Sequence, residues 1–123
     1  MARILVIDDE EDFRRIVSRM LASGGHEVEE AADGRQAIEA YRARPSDLVV
    51  ADLYMPEIDG VEAIIRLRHE FPDVRIIAVS GGGHLGQDDV LTIAAAVGAQ
   101  ATLTKPLDKK MLLATIQRVL EQP

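Results

Sequence analysis

The chain has no cysteine and no tryptophan, and only two phenylalanines and two tyrosines among 123 residues. Without cysteine there is no disulfide, no thiolate nucleophile and no thiolate metal site. With aromatics at 3% and hydrophobic residues at 47%, the interior has to be built from Ile, Leu, Val, Ala and Met. No apolar run approaches the ~20 residues that cross a bilayer as a helix, so no membrane partner is expected. Met1-Ala2-Arg3 leads at once into a short apolar run ending in acids, too short for a secretory leader and without a cleavage site. A cytoplasmic location is therefore the expectation. Positive charge is also scarce: 14 Lys and Arg stand against 21 Asp and Glu, a formal net charge of −7. Such a surface repels nucleic acid unless it carries a basic stripe, and the sequence has none. Proteins and cations are the expected partners, not DNA or RNA.

What the sequence does have is alternation. Ile4 to Ile7 is a continuous apolar run, as expected of a strand buried on both faces, and it stops at Asp8-Asp9. Phe13, Ile16, Val17, Met20 and Leu21 follow at helical spacing, and Gly24-Gly25 close that helix. A weaker strand runs from His26 to Glu30. Asp33-Gly34 then opens a helix with Ala37, Ile38 and Tyr41 inward. The run Leu48 to Ala51 ends at Asp52. A loop with Met55-Pro56 and Asp59-Gly60 leads into a helix carrying Val61, Ile64, Ile65 and Leu67. Arg75 to Val79 ends at Ser80, and the glycine-rich segment Gly81 to Gly86 precedes a helix expected from about Asp88 to Val97. Ala101 to Thr104 ends at Lys105-Pro106. The last helix, from about Asp108 to Glu121, turns Leu112, Ile116, Val119 and Leu120 inward. Five strand–helix units predict an α/β fold of (βα)5 type with a parallel sheet and right-handed crossovers. The length suits one domain spanning 1–123, with no output domain attached.

The best-placed polar residues share one topological position. Asp8-Asp9, Asp52, Ser80 and Lys105 each follow a predicted strand. In an open parallel sheet those ends line one edge, and ligands bind there at the switch in strand order. Carboxylates brought together repel one another, and a hard divalent cation relieves the repulsion; an open site with few ligands suits Mg2+. A carboxylate can also act as a nucleophile and form an acyl phosphate. Transfer of a phosphoryl group then needs positive charge on its equatorial oxygens, which Mg2+ and Lys105 supply. Ser80 can donate a hydrogen bond to one of those oxygens.

These residues, with Asp52-Leu53-Tyr54-Met55-Pro56 and Lys105-Pro106 in their order along the whole chain, resemble the response-regulator receiver family of two-component signalling. The resemblance implies a doubly wound, flavodoxin-like sheet of order 2-1-3-4-5. It implies Asp52 as phosphoacceptor, charged by a histidine kinase or phosphotransfer protein. Asp9, Asp52 and the backbone carbonyl of Tyr54 would ligate Mg2+, with Asp8 acting mainly through water. Lys105 would pair with the phosphoryl group, Ser80 would move to bond it, and the Lys105–Pro106 peptide would be cis. The chain would be a switch that acts on an unknown downstream protein and turns over no separate substrate. The face made by the expected fourth and fifth helices, with the fifth strand between them, would serve docking or homodimerisation.

Two features depart from the family. Thr102 stands where a Tyr or Phe usually swings inward when the hydroxyl residue moves. The loop after Ser80 is longer than usual and holds four glycines, and it is expected to order on phosphorylation. Rival readings are a degenerate receiver that binds proteins without phosphate and an aspartyl phosphohydrolase. The hydrolase reading is weakened because such enzymes show Asp-x-Asp after the first strand and carry a cap domain. Gly81-x-Gly83-x-x-Gly86 has a dinucleotide-loop spacing, but it follows the fourth strand and runs into Asp88-Asp89, whose charges oppose a pyrophosphate. Phe13 and Tyr41 read as core.

Overall fold

Each continuous apolar run becomes a strand. The computed structural model describes residues 1–53, 60–80, 95 and 98–122. Its strands are β1 (Arg3–Ile7), β2 (Glu27–Ala31), β3 (Leu48–Asp52), β4 (Ile76–Ser80) and β5 (Ala101–Thr104). They pair in parallel in the order β2-β1-β3-β4-β5, the expected flavodoxin-like arrangement. The described helices are α1 (Glu11–Ser23), α2 (Gly34–Ala43), α3 (Gly60–Glu70) and a C-terminal helix (Lys109–Leu120). Tyr54, the Met55-Pro56 turn, Asp59, the glycine loop and nearly all of the helix expected at 88–97 lie outside the described residues.

Strand alternation divides the interior into two layers. Leu5, Ile7, Val49, Ala51, Ile76 and Ala78 face α2 and α3, and pack on Ala37, Ile38, Tyr41, Ile64 and Leu67. Ile4, Val6, Leu48, Val50, Ile77, Val79 and Leu103 face α1 and the C-terminal helix, and pack on Val17, Leu21, Leu112, Ile116 and Val119. β3 and β4 are buried along their whole length, which is why their sequences do not alternate. β2 sits at the sheet edge and keeps Glu27 and Glu30 in solvent, charges that discourage pairing with another chain.

Helix ends follow local chemistry. Asp33 caps α2 by accepting the Gln36 N–H, and Asp108 caps the C-terminal helix by accepting the Met111 N–H. Gly25 and Gly98 hold φ of 88° and 75°, a left-handed conformation that favours glycine. Two residues expected inward turn out of the core: Ile16 is 48% exposed and Ile65 is 51% exposed. Each precedes or follows a fully buried neighbour, Val17 or Ile64, and one residue along a helix is a rotation of ~100°, enough to move a side chain off the core stripe.

Candidate functional site

β1 and β3 are neighbours with Ile7 level with Ala51, so Asp8 and Asp52 stand side by side at the strand ends. The chain departs from β1 towards one sheet edge and from β3 towards the other, making this the switch point where a crevice opens. Asp8 and Asp52 are both buried, at 2% and 4% exposure. Lys105 reaches them from the end of β5. Its Nζ donates to Asp52 Oδ2 at 3.1 Å and to Glu10 Oε1 at 3.3 Å, and lies 3.2 Å from Asp8 Oδ2. An ammonium has three protons, so three carboxylates saturate it. The Lys105–Pro106 peptide is cis, and the Lys105 N–H donates to the Ser80 carbonyl at 2.9 Å, continuing the β4–β5 ladder to the site.

Charge at the site is unbalanced. Burial pushes the Asp8 carboxyl above its ordinary range; the Glu10 N–H bond opposes this, Asp52 reinforces it, and Lys105 only partly offsets it. For Lys105, burial pulls the ammonium down, but Asp52 and Asp8 together outweigh burial and hold it above its ordinary value. Carboxylate oxygens of Asp8, Glu10 and Asp52 all lie within 4.8 Å of one another. One lysine cannot neutralise three acids. Hard oxygen donors at that spacing, in a part-exposed cleft, fit a hard divalent cation of the Mg2+ type.

The sequence pattern of the response regulator receiver domain matches residues 4–117. The chain belongs to the response-regulator receiver family. Chemotaxis protein CheY from Bacillus subtilis (strain 168) is 34% identical over 119 residues, covering 96% of this chain and 97% of that protein. The sensor kinase CckA of Brucella abortus (strain 2308) is 35% identical over 123 residues, covering 98% of this chain and 13% of that protein. Among solved structures, chemotaxis protein CheY4 of Vibrio cholerae superposes with a TM-score of 0.88 at 33% identity, covering 97% of this chain and 98% of that one. The receiver domain of NtrX from Brucella abortus superposes at 0.90 with 30% identity, covering 98% and 99%.

Within this receiver domain, the structure brings together Asp8, Asp52 and Lys105 of the residues expected at the site. Ser80 is buried at the end of β4, one residue beyond Val79, which pairs with Asp52. Asp9 is exposed and lies outside the acid group. Glu10 stands in that group instead, although the sequence did not single it out. Its signal was available: Glu10 follows Asp8 by two residues, and the Asp8 Oδ1 accepts the Glu10 N–H at 2.9 Å, which folds the segment back on the cleft. At the N-cap of α1, Glu10 makes no side-chain capping bond. Phe13 is a second omission. Read as core, it does pack on the α1 layer while half-buried, and its ring centroid also lies 4.1 Å from Lys105 Nζ. Thr102 is also half-buried; Leu103 packs on the α1 layer, so Thr102 points to the opposite face of the sheet. Described helices include none long and apolar enough to cross a membrane.

Proposed function

We propose that residues 1–123 form one receiver domain that accepts a phosphoryl group on Asp52 and carries that signal to another protein. The observation that supports this most directly is Lys105 Nζ held 3.1 Å from Asp52 and 3.2 Å from Asp8 at the sheet's switch point. A carboxylate oxygen of Asp52 attacks the phosphorus of a phosphohistidine on a histidine kinase or phosphotransfer protein. The P–N bond breaks, the imidazole leaves, and an acyl phosphate forms on Asp52. Lys105 then exchanges its bond to Asp52 for one to a phosphoryl oxygen, and Ser80 donates its hydroxyl to another.

The acid pocket is assigned to Mg2+, which when bound supplies charge neutralisation at the transferring oxygens. The ligand set implied by the resemblance is Asp9, Asp52 and the Tyr54 carbonyl, with Asp8 through water. It shares Asp8 and Asp52 with the acid group at the cleft, to which Glu10 adds a third carboxylate. The domain acts as a switch and has no separate substrate to turn over. Its output surface is the face of β5 and the C-terminal helix together with the helix expected at 88–97, which lies almost wholly outside the described residues, and through it the domain meets a downstream protein or a second copy. Thr102, in place of an aromatic, favours one alternative: a binding module whose partner surface does not depend on phosphate.

Incubation with Mg2+ and acetyl phosphate, followed by intact mass, tests the proposal. The expected result is a gain of one phosphoryl mass that disappears in Asp52→Asn and with EDTA. Uptake at an unchanged level in Asp52→Asn would overturn the assignment of the acceptor. Uptake without any change in partner binding would support the alternative.

A further inference from the structure

Lys105 occupies the same ground that a divalent cation would need. Its ammonium rests on Asp8, Glu10 and Asp52, the three acids that could hold a metal. Two cations drawn to the same oxygens repel each other, so carboxylates alone cannot keep Lys105 in place once a cation arrives. Phosphorylation of Asp52 likewise removes one of the oxygens that hold it. One contact of the ammonium involves no carboxylate. The Phe13 ring, carried on the first turn of α1, lies with its centroid 4.1 Å from Nζ, well inside the range in which a ring face attracts a cation. The Lys105 side chain is 13% exposed, so little water competes for that face.

We infer that Phe13 is a positioning residue for Lys105: its ring keeps the ammonium at the cleft while the carboxylates release it to a metal ion or a phosphoryl group. The inference rests on the phosphoacceptor reading above for its catalytic consequence, but not for the contact itself. A neutral π face attracts the ammonium without binding Mg2+ competitively and without needing a proton in return. It therefore allows Lys105 to exchange Asp52 for a phosphoryl oxygen without swinging out into solvent. A leucine at position 13 would fill similar space against α1 but has no quadrupole. This separates positioning from packing. It also gives α1 a direct contact with the catalytic lysine, a route by which the state of the site reaches that helix without passing through Thr102.

Two readouts test it on the intact chain. The first follows the Lys105 ε-methylene protons by NMR, with and without Mg2+. They are expected upfield of their random-coil position because of the ring current, and to stay upfield when Mg2+ saturates the site. Random-coil shifts in the wild type, or loss of the upfield shift on adding Mg2+, would overturn the inference. The second compares phosphorylation rates with acetyl phosphate and Mg2+ for wild type, Phe13→Leu and Phe13→Tyr. Phe13→Leu is expected to slow uptake about three- to ten-fold, with Phe13→Tyr restoring it. Equal rates in all three would overturn it, as would a loss that tyrosine does not rescue. If the wild type takes no phosphoryl group, the functional reading fails while the NMR result still decides the contact. If Phe13→Leu does not fold, the wild-type NMR result decides alone.

Discussion

The two ends of the sheet handle charge in opposite ways. At the amino ends of the strands, opposite charges are matched. Arg3 pairs with Glu27 and Glu29, and its N–H donates to Asp47 Oδ2. Arg44 adds to Glu27, and Arg75 binds the carbonyls of Leu120 and Gln122, tying the C-terminal segment to the base of β4. At the carboxyl ends three acids converge on one lysine, and Asp8 and Asp52 are buried. Matched pairs near solvent stabilise modestly and ask for nothing further. An unmatched, desolvated acid cluster is costly to the fold and is relieved by a ligand. The first pattern fits anchoring and the second fits binding.

Removing the lysine on which the three acids converge should have the largest effect. Lys105→Met removes the ammonium that the buried Asp8 and Asp52 share, and the expected loss is roughly 3 kcal/mol in metal-free urea denaturation. Arg3→Met at the matched end leaves glutamates that already reach water, and should cost about 1 kcal/mol. Equal losses at the two ends would mean that the acid cluster is not the strained one.

Adding a cation should work in the other direction. With Mg2+ at a hundred times its Kd, linkage predicts about 2.7 kcal/mol of added stability. The gain should be strongly reduced in Asp52→Asn and retained in Asp47→Asn, whose acid lies at the other end of β3. Thermal melts with and without EDTA measure it. A gain equal in both variants would place the ion elsewhere.

How far this contrast was legible in the sequence depends on the residue. The apolar runs identified β1, β3 and β4, because a strand buried on both faces leaves no freedom for polar residues, whereas the less buried β2 and β5 were legible only from the alternation of strand and helix units. Asp8 and Asp52 could be found because each stands at the end of such a run, and Lys105 because it directly follows the short fifth strand. Glu10 was passed over although it stands two residues after Asp8, whose side chain accepts its N–H, and Phe13 could not be found because its contact with Lys105 arises from the angle of α1, which spacing along the chain does not encode. Ile16 and Ile65 were misjudged for a related reason. A helical stripe read from spacing is wider than the strip that the sheet actually covers.

The pH dependence of stability sharpens the comparison further. Asp8 has its folded pKa raised above 3.8, chiefly by burial. The folded state therefore keeps a proton that the unfolded chain has released, and the Asp8 contribution is greatest below 3.8 and is lost as pH rises through the folded value. Asp8→Asn, which cannot ionise, should flatten the stability curve on the alkaline side of 3.8 in metal-free buffer. An unchanged curve would show that Asp8 is not desolvated in solution.

The smallest effect belongs to the opposite end of the molecule. His26, just before β2, accepts the Ala2 N–H on Nδ1 at 3.1 Å, which requires that nitrogen to be unprotonated. Burial first, and then the positive N-terminus, lower its pKa below 6.5. Here the unfolded chain binds the extra proton. The stability contributed by His26 is fully present above 6.5 and is lost as pH falls through the folded value. His26 therefore weakens the fold on acidification, whereas Asp8 weakens it as pH rises above 3.8. Replacing His26 with glutamine, whose side-chain carbonyl can accept the same N–H at any pH, should remove the small decline below 6.5 and leave the Asp8 limb intact. If both limbs disappear together, the two ends of the sheet are coupled and the contrast between them does not hold.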